Sequence, residues 1–233
     1  MGSIGMTLAT VALSATTAAA QQYVISTYAG GAPPLTEAAQ ATAVSVGSPI
    51  SVATDEEGNV YFASPDLNAV FQLNPGGVLK RVAGSSKTGY SGDGGPATEA
   101  RMNLGFGNSE APSAGLAIDK AGNLFVADTG NHCVRRVSTS GIITTVAGTG
   151  QEGFSGDGAP AVNAKLDFPW GVALDSAGNL FIMDPFNFRV RRVSTSGIIS
   201  TLAVINGWAL AVDAAGGRLC HKPRQRTRAW RNQ

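Results

Sequence analysis

Short apolar runs recur along the chain, and polar residues with glycine separate them. In the clearest stretches, one run ends in Asp, the next begins at Asn after a glycine, and two more follow around a second glycine. Short runs rich in Val, Ile, Leu and Phe predict strands, and a glycine between them supplies the positive φ of a tight hairpin. The pattern therefore predicts units of four antiparallel strands and an all-β fold.

The predicted units repeat along the sequence. Three segments align, and they are SVATDEEGNVYFAS (51–64), LAIDKAGNLFVAD (116–128) and VALDSAGNLFIMD (172–184). We place the units at about residues 49–84, 115–148 and 171–204, with a partial copy at 207–217. The second and fourth strands are apolar on both faces, so a single unit cannot bury its own surface. Repetition of such units predicts radial stacking about a shared axis.

Two long connections between units also match each other. They are KTGYSGDGGPATEARMNL (87–104) and QEGFSGDGAPAVNAKLDFP (151–169), and residues 33–49 hold a degenerate copy. Pro96 and Pro160 suit the first position of a helix, so a single helical turn is predicted at each. Strand alternation puts the connections on the same face as loops 129–132 and 185–188. The Asp that ends the first strand of each unit is predicted on the opposite face.

The third unit reads Pro-x-Gly-Val-Ala-x-Asp-x-x-Gly-Asn-Leu-Phe-x-x-Asp, followed by Asn and Arg-Val-Arg-Arg-Val. This pattern resembles the NHL repeat over residues 25–213, and AGTGQEGFSGDGAPA resembles the bacterial secreted members and the NHL region of teneurins. The resemblance implies a β-propeller, six-bladed in the family, with one four-stranded sheet per blade. It also implies an Asp/Asn/Arg trio at Asp184, Asn187 and Arg189. In the second unit Asp128 and Asn131 match, and Cys133 stands in place of the arginine.

Three full units are fewer than the family's six. We expect a truncated propeller, an incomplete arc of three four-stranded blades plus a partial fourth, with residues 25–30 as a strand that would close a ring. An open arc would expose apolar blade faces, which favours self-association.

The N-terminal residues 1–20 are apolar or small and end in three alanines, as in a secretory signal peptide. A disordered N-terminus is the alternative. The segment is too short and too weakly apolar to predict a stable membrane span. We expect a secreted, periplasmic or cell-surface protein, and we assign residues 21–217 to the propeller.

Charge is uneven along the 233 residues, although the formal net charge is only +1. Six of the 17 Lys and Arg residues lie in residues 218–233, where no acidic residue occurs. This basic tail begins inside a repeat and changes composition abruptly, so we interpret it as disordered or as a reading-frame artefact. The remaining chain is acidic on balance, which argues against a nucleic-acid partner.

The favoured function is a non-catalytic binding or scaffold module that presents the long loops to an unknown protein or carbohydrate ligand. The ligand-binding candidates are Asp93, Asp157, Asp128, Asn131, Asp184, Asn187 and Trp170. Arg135, Arg136, Arg191 and Arg192 are expected at the exposed rim, paired with carboxylates of adjacent blades. No catalytic residue and no cofactor are predicted, and with 2 His residues a zinc site built on histidines is not available.

Two alternatives belong to other functional classes. The first is a fragment of a calcium-dependent propeller enzyme of the lactonase or lyase kind, in which Asp93 and Asp157 would supply oxygen ligands to Ca²⁺. The second is an RNA-binding NHL propeller, which the acidic body and the predicted export disfavour.

Overall fold

The computed structural model describes residues 38–105, 114–204, 210–212 and 219–220. The predicted signal peptide, the strand at 25–30 and most of the partial fourth unit and basic tail lie outside the described residues. Within the described parts of the chain, no helix is both long enough and apolar enough to cross a membrane.

The described chain is built from antiparallel strands, which confirms the all-β prediction. In chain order the strands are β1 (Ala39–Gln40), β2 (Ser51–Thr54), β3 (Val60–Ser64), β4 (Ala69–Leu73), β5 (Val78–Ala83), β6 (Leu116–Ile118), β7 (Leu124–Asp128), β8 (Cys133–Val137), β9 (Ile143–Ala147), β10 (Gly171–Leu174), β11 (Leu180–Asp184), β12 (Arg189–Val193), β13 (Ile199–Val204), β14 (Ala211–Val212) and β15 (Leu219–Cys220). We call β2–β5 blade 1, β6–β9 blade 2 and β10–β13 blade 3. In each blade neighbouring strands in sequence are neighbours in the sheet, and β1 adds a fifth strand to the sheet of blade 1 by pairing with β5.

The first hairpin of each blade is closed by the predicted Asp and Asn. In blade 1, Asp55 Oδ1 accepts from the Asn59 backbone N–H at 2.8 Å, and Asp55 Oδ2 accepts from Asn59 Nδ2 at 2.8 Å. Gly58 has φ +81°, so the predicted left-handed turn residue is confirmed. Asp119 with Asn123, and Asp175 with Asn179, repeat the same bonds.

A connection covers the outer edge strand of each blade. The backbone N–H of Ala97 donates to Gly141 O at 2.8 Å, and that of Ala161 donates to Gly197 O at 2.8 Å. Both residues open the predicted single helical turns, which are 3₁₀ helices at Ala97–Glu99 and Ala161–Asn163. Ala41 makes the same contact in blade 1, to Gly77 O at 3.0 Å. The covered edges are thereby withdrawn from pairing with another chain.

Apolar layers lie between successive blades. The layer between blades 1 and 2 includes Val70, Leu116 and Ile143, together with Met102 and Leu104 from the first connection. An equivalent layer between blades 2 and 3 includes Leu166 from the second connection. On the far side of blade 3, Leu210 and Val212 pack against Phe181, Met183 and Val190. Both sheet faces are therefore used, as their double-sided apolar pattern predicted.

Candidate functional site

The long connections and the loops between the second and third strands share one face, which we call the loop face. Asn131 Nδ2 donates to Gly89 O at 2.7 Å, and Asn187 Nδ2 donates to Gly153 O at 2.8 Å. Each bond joins a loop of a blade to the connection that precedes it. The Asp–Asn hairpin turns lie at the opposite strand ends, on what we call the turn face. The predicted division into two faces is confirmed.

A buried polar cluster anchors the loop face at blade 2. The Asp128 carboxylate is fully buried, and it accepts from Asn131 Nδ2 at 2.9 Å, from the Asn103 N–H at 2.7 Å and from Arg135 Nη1 at 3.2 Å. Arg135 Nη2 then donates to Asp93 Oδ1 at 2.8 Å. Burial raises the pKa of Asp128, against the effect of the Asn131 and Asn103 donors and the Arg135 charge.

Blade 3 repeats this cluster. The buried Asp184 carboxylate accepts from Asn187 Nδ2 at 2.8 Å and from the Asp167 N–H at 2.8 Å, and it lies 3.6 Å from Arg191 Nη1. Arg191 Nη2 donates to Asp157 Oδ1 at 2.9 Å. Burial raises the pKa of Asp184 to about 6, although its hydrogen bonds and Arg191 oppose this shift. Each cluster ties one loop, one strand and one connection together.

Two expectations about arginines were wrong. Arg135 and Arg191 are fully buried instead of lying at an exposed rim, because the connections fold over them. The arginine paired with Asp184 is Arg191, whereas the Arg189 guanidinium donates to Asn187 O and lies 3.9 Å from the Phe154 ring centroid. Cys133 in place of an arginine therefore does not disrupt the polar cluster of blade 2, because Arg135 supplies the cation that pairs with Asp128.

Blade 1 has an apolar counterpart of the cluster. Ser64, Leu67 and Phe71 stand where blade 3 has Asp184, Asn187 and Arg191. Phe71 is 1% exposed and packs with Ala69 and Leu79. The chain thus uses either the full ionic set or an uncharged set of Ser, Leu and Phe at this position, as expected when a buried ion pair and apolar packing are comparable in stability.

The polar ligand-binding candidates are the members of these two clusters. Four of them face inward on other protein groups: Asp128, Asn131, Asp184 and Asn187. The carboxylates of Asp93 and Asp157 are 46% and 42% exposed while they hold the arginines. Burial raises the pKa of Asp157, but hydrogen bonds from Thr201 and the Arg191 charge outweigh burial and leave it lowered. As ligand contacts, these residues stay predictions.

An aromatic cluster reaches the loop face beside blade 3. The Phe168 ring lies 4.3 Å from the His132 ring and 5.4 Å from the Phe186 ring, and Trp170 lies 6.2 Å from Phe186. The predicted ligand-binding candidate Trp170 is only 3% exposed, so it contributes packing against Phe186 and little accessible surface. Phe186 is 41% exposed and Phe154 44%. The Phe154 and Phe186 rings therefore present apolar surface to solvent on the loop face.

The last residue of each loop has a left-handed backbone. The residues are Asn68, His132 and Phe188, with φ of 41°, 51° and 53°. Asn68 Oδ1 accepts from the Leu104 N–H at 3.1 Å, and His132 Nδ1 accepts from the Phe168 N–H at 3.2 Å. A phenyl ring has no such acceptor, and Phe188 is 55% exposed. Sequence reasoning missed Phe186 and Phe188, although aligning loop 185–188 with loop 129–132 would have shown the exchange of His for Phe.

Within the described segments, no three His, Cys, Asp or Glu side chains lie close enough together to hold a metal ion. Asp93 and Asp157, the carboxylates considered for Ca²⁺, are instead paired with buried arginines.

Four-stranded sheets with consecutive strand order, packed face to face, define a β-propeller. A solved nidogen–laminin complex contains a chain similar in fold, with a TM-score of 0.52 and 18% identity over 76% of this chain and 57% of that chain. The NHL repeat model matches residues 114–137, and the teneurin NHL domain model matches residues 148–215. The chain therefore contains NHL repeats, and its fold is that of a β-propeller.

Teneurins are among the curated relatives. Teneurin-3 of Mus musculus is 32% identical over 171 residues, which cover 66% of this chain and 6% of that protein. Teneurin-m of Drosophila melanogaster is 27% identical over 176 residues, which cover 70% of this chain and 6% of that protein. The chain therefore corresponds to a small part of the length of these relatives.

Proposed function

We propose that this propeller is an exported, non-catalytic binding module whose loop face engages a protein partner. The contact surface is the aromatic patch, which we define as Phe154, Phe186 and Phe188. The observation that most supports this proposal is the conformation of Phe188, which has a left-handed backbone and a side chain that is 55% exposed.

The left-handed backbone of Phe188 is unfavourable for folding, and at 55% exposure only part of the ring is buried to offset that cost. A left-handed backbone costs roughly 1–2 kcal/mol for a residue other than glycine, and Asn tolerates it better than Phe does. Blades 1 and 2 place hydrogen-bond acceptors at this position. A strained and exposed aromatic residue in blade 3 is more readily explained by a contact outside the domain.

The surroundings of the patch suit binding. The cluster of Asp184, Asn187 and Arg191 fixes loop 185–188 to the second connection, so little conformational entropy would be lost on binding. Arg189 covers Phe154 at 3.9 Å, and aromatic and Arg side chains are enriched at protein interfaces. The similar fold in the nidogen–laminin complex is a precedent for a propeller in a protein assembly.

The function is tested by screening the purified chain against extracellular protein domains, a glycan array and RNA. We compare the unaltered chain with Phe188→Asn on the loop face and Lys120→Ala on the turn face. A protein partner that binds at least about tenfold more weakly to Phe188→Asn, and equally well to Lys120→Ala, supports the proposal. Binding that depends on Lys120 and not on Phe188 contradicts it, and a glycan or RNA ligand would change the partner class.

Export is tested separately by expressing the chain with its N-terminal segment and sequencing the N-terminus of the recovered protein. Protein found outside the cytoplasm and beginning at Gln21 supports a cleaved signal peptide. Protein that stays in the cytoplasm with residues 1–20 intact contradicts export.

A further inference from the structure

A cavity of about 550 Å³ lies on the turn face between blades 1 and 2, away from the loop face. Its walls are the first hairpin turns of blades 1 and 2, the outer strand β5 and the second hairpin turn of blade 2. This volume falls within the range of pockets that hold small molecules.

Comparison of the three blades shows which cavity-lining residues of blade 1 differ from those at the same sheet positions in blades 2 and 3. Since blades 2 and 3 fold with other residues there, the fold itself does not require them. One cross-strand row of blade 2 consists of Phe125, Arg136 and Thr144, and the same row of blade 3 consists of Phe181, Arg192 and Ser200. In blade 1 the row is Tyr61, Gln72 and Lys80, and all three line the cavity. The departures of blade 1 from the repeat thus converge on one cavity.

Tyr61 and Gln72 form a fixed polar floor. The Tyr61 hydroxyl donates to Asp55 Oδ2 at 3.1 Å and accepts from Gln72 Nε2 at 2.6 Å. Burial, together with the hydrogen bond and charge of Asp55, raises the pKa of Tyr61 to about 12, so this hydroxyl stays neutral. The Asp55 carboxylate uses its acceptor oxygens within its own hairpin turn. It also accepts from the backbone N–H groups of Glu57 and Asn59 and from Asn59 Nδ2.

Charges of both signs remain open around this floor. Lys80 is exposed and forms no ion pair with any described residue, and Lys120 of blade 2 also lines the cavity and donates to Ser176 O at 3.4 Å. Arg81 follows Lys80 in β5 and lies opposite Phe71, on the other face of the sheet, where its Nη1 donates to Ser86 Oγ at 3.5 Å. Opposite charges come from Glu56 and Glu57 on the hairpin turn, which form no ion pair within the described residues, although Glu57 Oε2 accepts from Asn59 Nδ2 at 3.3 Å. These cations and carboxylates line the same cavity without neutralising each other. A ligand with one charge of each sign would satisfy both groups.

We infer that this cavity is a second binding site, which takes a small zwitterion such as a free amino acid. Lys80 receives its carboxylate, Glu56 and Glu57 receive its ammonium group, and the Tyr61–Gln72 pair forms the floor. The site is independent of the aromatic patch, because the two lie on opposite faces of the propeller.

The repeats also supply matched variants for the test. Lys80→Thr and Tyr61→Phe install the residues that blade 2 carries at the same sheet positions, Thr144 and Phe125. Both variants are therefore expected to fold, and their unfolding midpoints check this. Phe188→Asn serves as a control for the other face.

Binding is measured by isothermal titration calorimetry and by NMR chemical-shift changes, with L-glutamine, N-acetyl-L-glutamine and L-glutaminamide as probes. We expect saturable binding of L-glutamine, at least about tenfold weaker binding of both singly charged analogues, and at least about tenfold weaker binding to Lys80→Thr. Phe188→Asn should bind as the unaltered chain does. Absence of saturation up to about 10 mM L-glutamine, equal binding of the acetylated analogue, or unchanged binding to Lys80→Thr would each overturn the inference.

Discussion

At the scale of single residues, the left-handed position at the end of each loop joins backbone geometry to interactions between blades. Asn68 and His132 both use a side-chain acceptor there to hold the N–H of the following connection. His132 can accept at Nδ1 only when that nitrogen carries no proton. The contact between blades 2 and 3 is therefore sensitive to pH, whereas the one between blades 1 and 2 is not.

His132→Asn tests this difference with the residue that blade 1 already uses. Burial lowers the pKa of His132, although the charges of Asp167 and Glu152 oppose it. Because the folded pKa lies below the unfolded value of about 6.5, the unaltered chain should lose stability as the pH falls below about 6.5 and keep it above. The free energy of unfolding, measured in denaturant from pH 5 to 8, should fall less steeply on the acid side in His132→Asn. Parallel curves for the two proteins would refute the role of His132.

At the scale of the element, the polar cluster of each blade acts as a unit. Arg191→Phe would leave Asp184 buried without its cation, which should destabilise the domain by about 3–5 kcal/mol. The triple change Asp184→Ser, Asn187→Leu and Arg191→Phe reproduces the apolar set of blade 1 and should restore most of that loss.

Denaturant unfolding of the single and triple variants provides the measurement. A triple variant that is less stable than Arg191→Phe alone would show that the cluster cannot be replaced as a set. Phe71→Ala, which opens a cavity in the apolar version, provides a reference loss of about 3–5 kcal/mol.

Strands, hairpins and the two faces could be predicted because they depend on local pattern and on repetition. The pairing of Arg191 with Asp184 could not be predicted, since Arg189 and Arg191 lie on the same side of β12. Arg189 is the residue opposite Asp184 in the register, yet its guanidinium donates to Asn187 O instead. The burial of Arg135 depends on a connection more than 40 residues earlier in the chain. A repeat motif contains no information on such a contact.

At the scale of the whole molecule, the blades approach each other most closely at their inner strands. The Gly115 N–H donates to Trp170 O at 2.7 Å, and a Cβ atom built on Gly115 would lie 2.6 Å from that oxygen and 2.8 Å from Gly171 Cα. The backbone of blade 3 therefore leaves no room for a side chain at residue 115.

Gly115→Ala should separate the inner strands of blades 2 and 3 and lower the free energy of unfolding by about 1–3 kcal/mol. Gly105→Ala is the matched control, because the nearest atom to its added methyl group would be a Pro65 carbon at 4.0 Å. Thermal unfolding of both variants checks the prediction, and equal midpoints would contradict a close packing of the blades at Gly115.

At this scale we propose a propeller whose loop face carries an aromatic residue, Phe188, that folding does not need. Phe188→Asn replaces the ring with the residue of blade 1, relieves a strain of roughly 1–2 kcal/mol and removes a partly buried ring of comparable value. The unfolding free energy should therefore change by less than about 1 kcal/mol, whereas Phe181→Ala, in the core of the same blade, should lose about 3–5 kcal/mol. A loss for Phe188→Asn as large as that for Phe181→Ala would make Phe188 a packing residue and contradict the account.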